Sequence, residues 1–462
     1  MHHALDPYRS ERIPSLSLSR APSDLFIPTP PARACEMCVV VPVRDEARML
    51  AGTLRALADQ CDLHGAPFDH ARYEVIVFAN NCTDDSAALA RAFAARHPLL
   101  ALHIVERTFP AGEIHVGRAR RMLMDAACCR LASDERRGVI ASTDGDTRVA
   151  PTWIAATLRE IARGADAVGG RILTEVPENT VAGRLTRQYH LRDVGYRHLV
   201  AEMESLLDPD PYDRWPRHHQ HFGASLAVTT EAYIRAGRLP VLPALEDVAF
   251  YHALRRVDAR VRHSPAVRVR TSPRLTGRTA IGLAQQLREW TTMGHTGQPH
   301  RVDSAMAIEA RVRARYALRR LWRQADGEHT DTDRAIATVA SELGIEPAWL
   351  RNRLAQPQAF GALLEQVEER QAAAEIWMRR WPPAEITETV HALRVRLSAL
   401  RNCATPSAAH EEIEPVALAA LAREELQLRF RPRDERLVHG VAGERVIRDM
   451  GSPVDEQQMT AG

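Results

Sequence analysis

Short apolar runs alternate with amphipathic stretches through the first third of the chain, and this alternation restricts the fold more than any other feature. Residues 38–43 have the length and composition of a buried strand, and apolar residues recur at helical spacing in 46–60. The same pair of patterns follows twice more, and a fourth strand is predicted at 138–142. The pairs are 73–78 with 86–96 and 100–105 with 115–131. This order predicts an α/β fold with a mostly parallel sheet and helices on both faces.

Three of the predicted strands end in strongly polar sequence. These ends are residues 44–46, Asn80 with Asn81, and residues 144–146. In sheets of this class the ligand lies beyond the carboxyl ends of the strands. We therefore expect the three polar ends to meet at one ligand site.

The chain contains no lysine, which excludes several classes of enzyme. All 61 residues counted as Lys+Arg are arginine, and 59 acids leave a net charge of +2. Pyridoxal-phosphate enzymes, Walker A NTPases and protein kinases each need a lysine at a fixed place. The near-zero net charge gives no indication of nucleic-acid binding.

Cysteine use and hydropathy favour a cytoplasmic protein. The 7 cysteines are an odd number, no secretory leader is evident, and no apolar run approaches the ~18 residues of a membrane span. Cys35 and Cys38 have the spacing of half a metal site, but no second pair stands at zinc-finger distance. We interpret them as free thiols.

Beyond residue 150 the pattern becomes mixed and then helical. Helices are predicted at 151–163 and from Glu246, with strands at 167–172 and 224–228. The predicted domains are an N-terminal arm, a catalytic domain, an arginine-rich helical region and a helical or weakly ordered extension with a helix at 416–428. Their bounds are 1–34, 35–296, 297–400 and 401–462.

Asp144 and Asp146 flank a glycine directly after a predicted strand. Two carboxylates so placed can hold a hard divalent cation, which in turn neutralises a diphosphate. A solvated turn is the alternative interpretation, since Asp and Gly are common in turns. The neighbouring polar strand ends favour the metal.

Five motifs in this order resemble glycosyltransferase family 2, of the soluble bacterial type, over roughly residues 37–290. They are VVVPVRDE at 39–46, VIVFANNCTD at 75–84, DGD at 144–146, HFGASLAV at 221–228 and LEDVAF at 245–250. The resemblance implies a GT-A fold, which is Rossmann-like. It also implies transfer of a sugar from a nucleoside-diphosphate donor with Mn2+ or Mg2+ as cofactor.

The resemblance also assigns candidate residues for the donor and the metal. Asp146 corresponds to the direct metal ligand, and Asp144 lies nearer the ribose. Arg274 and Arg278, in a loop with Gly and Pro, could close over the diphosphate. The nucleotide-sugar set is Pro42, Arg44, Glu46, Asn80, Arg120, Asp144, Arg274 and Arg278.

The Glu246-Asp247 pair corresponds to the family motif whose second carboxylate is the general base, so Asp247 is the predicted base and Glu246 its neighbour. Acids in the first turn of a helix also favour its dipole, which is the structural alternative. The acceptor set is Arg171, His221, Gly223, Ala224 and Ser225. The motif favours transfer with inversion of the anomeric centre, although membership of such a family alone would also allow a mechanism that retains the anomeric configuration.

Two departures from the family pattern support a rival interpretation. Asn80 stands where Asp is frequent, and Thr271 with Ser272 stand where many relatives have a metal-binding histidine. The rival is a non-catalytic, GT-A-shaped nucleotide-binding scaffold.

The expected partners follow from these interpretations. They are a nucleotide-sugar donor and a small-molecule or lipid-linked acceptor, with no nucleic acid. An oligomer is left open, as is peripheral membrane contact through the arginine-rich stretch 310–325.

Overall fold

The structure is a computed structural model. It describes residues 25, 27–131, 138–174, 179–274, 277, 281–324 and 332–403. These residues belong to one compact unit that ends at Thr405. The helix predicted at 416–428 lies outside the described residues.

Ten strands are described, eight of them in one sheet. They are β1 (Met37–Val43), β2 (Tyr73–Asn80), β3 (Ala101–Arg107), β4 (Val139–Ser142), β5 (Thr147–Val149), β6 (Ala167–Thr174), β7 (Leu226–Thr229), β8 (Val261–Thr271), β9 (Arg301–Val302) and β10 (Ala384–Glu385). The large sheet has the order β3-β2-β1-β4-β7-β6-β8-β5, and β9 pairs with β10.

Fourteen helices are described. They are α1 (Ala47–Ala58), α2 (Ser86–Arg96), α3 (Val116–Leu131), α4 (Trp153–Ala162), α5 (Val181–Leu207), α6 (Thr230–Arg235), α7 (Glu246–Arg256), α8 (Leu283–Thr296), α9 (Ala305–Gln324), α10 (Thr332–Leu343), α11 (Pro347–Leu354), α12 (Phe360–Ala373), α13 (Ile376–Arg380) and α14 (Ile386–Cys403).

The sheet is mixed and mostly parallel on its β3 side. Strands β3, β2, β1 and β4 run parallel, β7 is antiparallel to β4, and β6 is antiparallel to β7. Strand β8 is parallel to β6, and β5 is antiparallel to β8. The carboxyl ends of β1, β2, β4, β6 and β8 therefore face one edge of the sheet.

Both faces of the sheet are covered, which explains why β1 is apolar throughout. Val39 and Val41 pack on one side with α1, α2 and α4. Cys38 and Val40 pack on the other side with α3, α6 and α7. Successive side chains of a strand point to opposite faces, so a doubly covered strand needs a continuous apolar run.

Helices α9–α14 complete the compact unit with two further apolar clusters. One joins α9 to α10, α11 and α12. The other packs α14 and α9 against α5. Asp258, just after α7, accepts backbone hydrogen bonds from Phe360 (2.8 Å) and Gly361 (2.7 Å) at the start of α12. The helical part is thus attached directly to the helix that carries Glu246.

The predicted α/β class is confirmed, with three local corrections. The strand predicted at 224–228 begins at Leu226, after a single 3-10 turn at Gly223–Ser225. Strand β5, which is only three residues long, was not predicted from the sequence. Nor were the two-residue strands β9 and β10, which lie within the stretch interpreted as helical.

Two smaller expectations can be compared with the structure. Cys35 and Cys38 are free thiols, as expected, and burial raises the pKa of Cys35 to about 11. Among the described residues, no helix is both long enough and apolar enough to cross a membrane.

Candidate active site

A cleft of about 710 Å3 lies at the carboxyl edge of the sheet. The predicted site residues that line it are Pro42, Arg44, Glu46, Asn80, Arg120, Asp144, Asp146, Gly223, Ala224, Glu246, Asp247 and Arg274. These residues come from distant parts of the chain. The topology therefore brings the three polar strand ends and the helix start at Glu246 to one place.

Four predicted site residues are not among those that line the cleft. His221 stacks on Tyr251, with ring centroids 3.6 Å apart and an interplanar angle of 8°. Ser225 is buried and accepts a hydrogen bond from Trp153 Nε1 at 3.0 Å. Arg171 lies in β6, in register with Arg268 of β8. Arg278 lies outside the described residues.

Arg120 is the centre of the charged wall of the cleft. Its side chain is 5% exposed; Nη1 donates to Glu246 Oε1, and Nη2 donates to Asp144 Oδ1 at 2.6 Å. Burial opposes the charge of Arg120, yet Glu246, Asp144 and Asp247 raise its pKa above the ordinary value. Arg120 therefore ties the start of α7 to the turn after β4.

Gly223 explains how the arginine can fit. A Cβ at this position would collide with the Arg120 guanidinium. The absence of a side chain at Gly223 therefore has a packing reason, because the backbone before β7 passes directly beside the buried charge.

A second arginine bridges the ends of β1 and β4. Arg274 Nη1 is 2.6 Å from Glu46 Oε1, and Arg274 Nη2 is 3.1 Å from Asp146 Oδ2. Burial raises the pKa of Asp146 to about 6, with Asp144 adding to the shift and Arg274 opposing it. The arginine loop after β8 is thus held on the carboxylates of the cleft.

Asp247 is oriented by two backbone amides. Its Oδ2 accepts from Gly223 N at 2.7 Å, and its Oδ1 accepts from Val248 N at 2.8 Å. Leu245, just before α7, has a left-handed backbone with φ 57°. This geometry aims the first turn of the helix at the cleft and joins two motifs that lie apart in sequence.

The donor set at Asp144 and Asp146 fits a divalent cation. Carboxylate oxygens are ligands that Mg2+ and Mn2+ prefer. The two negative charges lie close enough for Asp144 to raise the pKa of the buried Asp146, and a cation between them would relieve that repulsion. Thr271, at the position where the family resemblance predicts a histidine in many relatives, accepts a hydrogen bond from Thr147 at 3.1 Å.

Among the described residues, one group of three potential metal ligands has its ligand atoms within 4.8 Å of one another, and it is Asp45, Cys82 and Asp84 rather than the Asp144–Asp146 pair. Both carboxylates already accept backbone hydrogen bonds. Asp45 Oδ1 accepts from Thr83 N at 2.6 Å, and Asp84 Oδ2 accepts from Ala47 N at 2.9 Å. The group therefore fastens the loop after β1 to the loop after β2.

A further part of the cleft wall was not predicted from the sequence. This wall includes His190 of α5, Gln220, Phe222, the loop 243–245, and Ile281, Leu283 and Gln285 at the start of α8. No motif marks these positions. The one available signal in the sequence is the apolar run Val-Leu-Pro-Ala-Leu at 241–245, directly before the Glu246-Asp247 pair.

A comparison with protein families identifies the class. Residues 38–219 match the family described as "Glycosyl transferase family 2". This part of the sequence is therefore similar to family 2, and the chain is a glycosyltransferase. The match ends before Gly223 and Asp247, so their roles rest on the geometry of the cleft. No curated protein matches the chain.

Solved glycosyltransferase structures align with much of the chain at low similarity. The mannosyltransferase PcManGT from Pyrobaculum calidifontis, in complex with GDP-Man and Mn2+, is 17% identical, with a TM-score of 0.37 over 82% of this chain and 90% of that one. S. aureus TarS 1–349 with UDP-GlcNAc is 13% identical, with a TM-score of 0.38 over 73% and 92%. These scores concern overall shape alone.

Proposed function

We propose that the protein transfers a sugar from a nucleoside-diphosphate donor to an acceptor hydroxyl by direct displacement, with Asp247 as the general base. The observation that carries this is the position of Asp247. Its carboxylate is fixed by Gly223 N and Val248 N in the same cleft as Asp144 and Asp146. A base must be held in this way if it is to meet the attacking hydroxyl.

The proposed reaction is a single balanced substitution. The acceptor oxygen forms a bond to the anomeric carbon while the bond from that carbon to the diphosphate oxygen breaks. The bonding pair leaves with the diphosphate, and the hydroxyl proton passes to the Asp247 carboxylate. Attack from the face opposite the leaving group inverts the anomeric centre.

The charged wall would bind the donor. Asn80, at the end of β2, offers an amide to the nucleobase, and the strand end at Pro42, Arg44 and Glu46 lies beside it. Arg274 would contact the departing diphosphate, since its side chain is 28% exposed and its guanidinium already lies at Asp146. Glu246 stays paired with Arg120 and keeps the start of α7 in place.

A divalent cation, Mn2+ or Mg2+, would be held by Asp146 and Asp144 and would neutralise charge on the diphosphate. Arg274 also pairs with Asp146, so part of that neutralisation is available from the chain itself. We place the reaction in the cytoplasm, with a small-molecule or lipid-linked acceptor.

The first test is thermal unfolding with UDP, GDP, CDP and dTDP, each with and without Mn2+. A ligand at 100 times its Kd stabilises a protein by about 2.7 kcal/mol, which raises Tm by several degrees. We expect one nucleotide to stabilise the chain, and more strongly with metal. Failure of all four with folded protein would contradict the proposed donor site, whereas a rise in Tm without any sugar transfer would favour the nucleotide-binding scaffold.

The role of the base is tested by Asp247→Asn. This variant should keep the nucleotide-induced rise in Tm and lose transfer by about 10²- to 10⁴-fold. Asp59→Asn, at an exposed position after α1, is the matched control and should keep both. Product analysis by NMR should show an inverted anomeric centre; retention would contradict direct displacement.

A further inference from the structure

Large apolar side chains are exposed in a group beside the cleft. Phe222, Leu245, Ile281 and Leu283 line it, and Val241 and Leu242 precede its loop 243–245. Their exposed fractions lie between 37% and 52%. We call these six residues the apolar rim. Grouped exposed apolar side chains mark binding sites more often than ordinary surface.

The apolar rim lies on the acceptor side of the proposed base. Phe222 directly precedes Gly223, whose amide holds Asp247, and Leu245 directly precedes Glu246. The donor residues lie at the ends of β1, β2 and β4 instead. A molecule whose hydroxyl reaches Asp247 can therefore also contact the rim, because both line the same cleft.

Two polar atoms on the same wall have no hydrogen-bond partner among the described residues. They are His190 Nδ1 and Gln285 Oε1, both buried. Helices α5 and α8, which carry them, are packed together, with Thr186 and Thr291 hydroxyls 2.7 Å apart. A buried polar atom without a partner is unfavourable, so a ligand that supplies hydroxyl groups would satisfy both atoms.

One segment of the apolar rim, which contains Leu242, is packed against a helix. A Cβ at Gly117, in the first turn of α3, would collide with the carbonyl oxygen of Leu242. The backbone at Leu242, which we call the rim loop together with residues 243–245, therefore lies directly against α3, the helix that also carries Arg120. A second pocket of about 390 Å3 shares Gln285 and Glu289 with the cleft and continues along α8.

We propose that the acceptor is amphipathic, with an apolar chain or ring that packs on the apolar rim and hydroxyl groups that bind His190 and Gln285. This inference rests on the proposed function, because it assigns the acceptor of that reaction. The same chemistry would be offered by a free small molecule with an apolar aglycone and by a lipid-linked sugar.

The test compares n-octyl β-glucoside, below its micelle concentration, with methyl β-glucoside. The two probes carry the same sugar and differ only in the alkyl chain. Titration calorimetry on the full chain should show that the octyl compound binds at least about tenfold more tightly. Equal affinity, or no binding of either probe, would overturn the proposal.

Variants locate the binding. The double variant Ile281→Ser/Leu283→Ser should reduce the octyl-to-methyl affinity ratio at least about fivefold, whereas Leu99→Ser, at a site 82% exposed outside the cleft, should not change it. Gln285→Leu should weaken both probes about equally. If the double variant still binds octyl glucoside as tightly as the unchanged protein, the alkyl chain binds elsewhere, and the proposed role of the apolar rim is wrong. Circular dichroism checks that each variant is folded.

Vesicles of phosphatidylcholine and phosphatidylglycerol distinguish the two sources of the acceptor. Co-sedimentation that the double variant weakens would indicate a lipid-linked acceptor, and octyl glucoside binding without co-sedimentation would indicate a free one. The nucleotide-induced rise in Tm is measured on the same samples. A nucleotide-induced rise in Tm without binding of octyl glucoside would overturn only the acceptor site at the apolar rim. Binding of octyl glucoside without a nucleotide-induced rise in Tm would overturn the proposed sugar transfer.

Discussion

Arg120 is buried between carboxylates that come from two other elements, so its removal should be costly. Arg120→Gln leaves Glu246 at 3% exposure without its guanidinium partner. Removing one member of a buried ion pair typically costs about 3–5 kcal/mol. We expect the free energy of unfolding, measured in urea, to fall by about 3 kcal/mol or more.

Arg379→Gln is the control for this change. Arg379 is 75% exposed and pairs with Glu375 across a solvated helix surface. Such pairs contribute little, so its loss should change stability by less than about 0.5 kcal/mol. Similar losses in the two variants would show that Arg120 is not a buried link.

Two glycine-to-alanine changes should have opposite effects. Gly223→Ala puts a methyl group against the guanidinium of Arg120, which cannot retreat while Glu246 and Asp144 hold it. We expect a loss of about 1–3 kcal/mol in the free energy of unfolding. Gly195, in the middle of α5, faces open space, so Gly195→Ala should gain up to about 1 kcal/mol from helix propensity. Urea unfolding of both variants is the check; a change in the same direction would contradict the packing at Gly223.

Single residues were predictable where they belong to a local motif, and not where they meet distant partners. Asp144 and Asp146 stand out because they follow a strand, and the structure places both in the cleft. The bridge from Arg274 to Glu46 joins residues 228 positions apart, and no local pattern reports it. His190 is in the middle of a long helix and carries no signal of its own.

At the scale of elements, α12 depends on a cap supplied from outside itself. Asp258 accepts both backbone amides at the start of α12, and its left-handed backbone, φ 50°, turns it toward that helix. Asp258→Ala should cost about 1–2 kcal/mol, as the loss of a helix cap does. Hydrogen exchange should accelerate at the start of α12 and remain unchanged in α2. Unchanged exchange in both helices would refute the cap.

Whether a strand could be predicted from the sequence depended on how much of it is buried. Strands β1 and β2 are covered on both faces, and their continuous apolar runs made them visible in the sequence. Strand β5 has three residues and exists only because β8 pairs with it. Residues 301–302 and 384–385 likewise become strands only through each other, so no local pattern could reveal them.

For the whole molecule, three histidines that are buried or half-buried should contribute to the loss of stability in acid. Burial lowers the pKa of His221 to about 3 and lowers the pKa values of His218 and His219 as well. In the unfolded chain each titrates near 6.5. Between these values the unfolded chain binds more protons, so the free energy of unfolding should decrease as the pH falls from about 6.5 toward 3.

The variant His221→Phe removes the contribution of one histidine to the pH dependence of unfolding. Phenylalanine can keep the stack on Tyr251, and the slope of unfolding free energy against pH should become shallower by up to about 1.4 kcal/mol per unit. His391→Phe, at an exposed position in α14, should leave the slope unchanged. Urea unfolding at several pH values provides the measurement, and equal slopes in all three proteins would contradict the role of His221.

Helix α3 supports the rim loop at Gly117 and holds the carboxylates of the cleft at Arg120, one turn later. The proposed donor site and the proposed acceptor site are therefore both built on α3. If binding of the first substrate orders α3, the binding site of the second substrate, which contacts the same helix, is ordered as well. Linkage is reciprocal, so each substrate would lower the apparent Kd of the other by the same factor. In a double-reciprocal plot of rapid-equilibrium initial rates, lines that meet above the horizontal axis are the expected sign of this coupling; lines that meet on the axis would show that the two substrates bind independently.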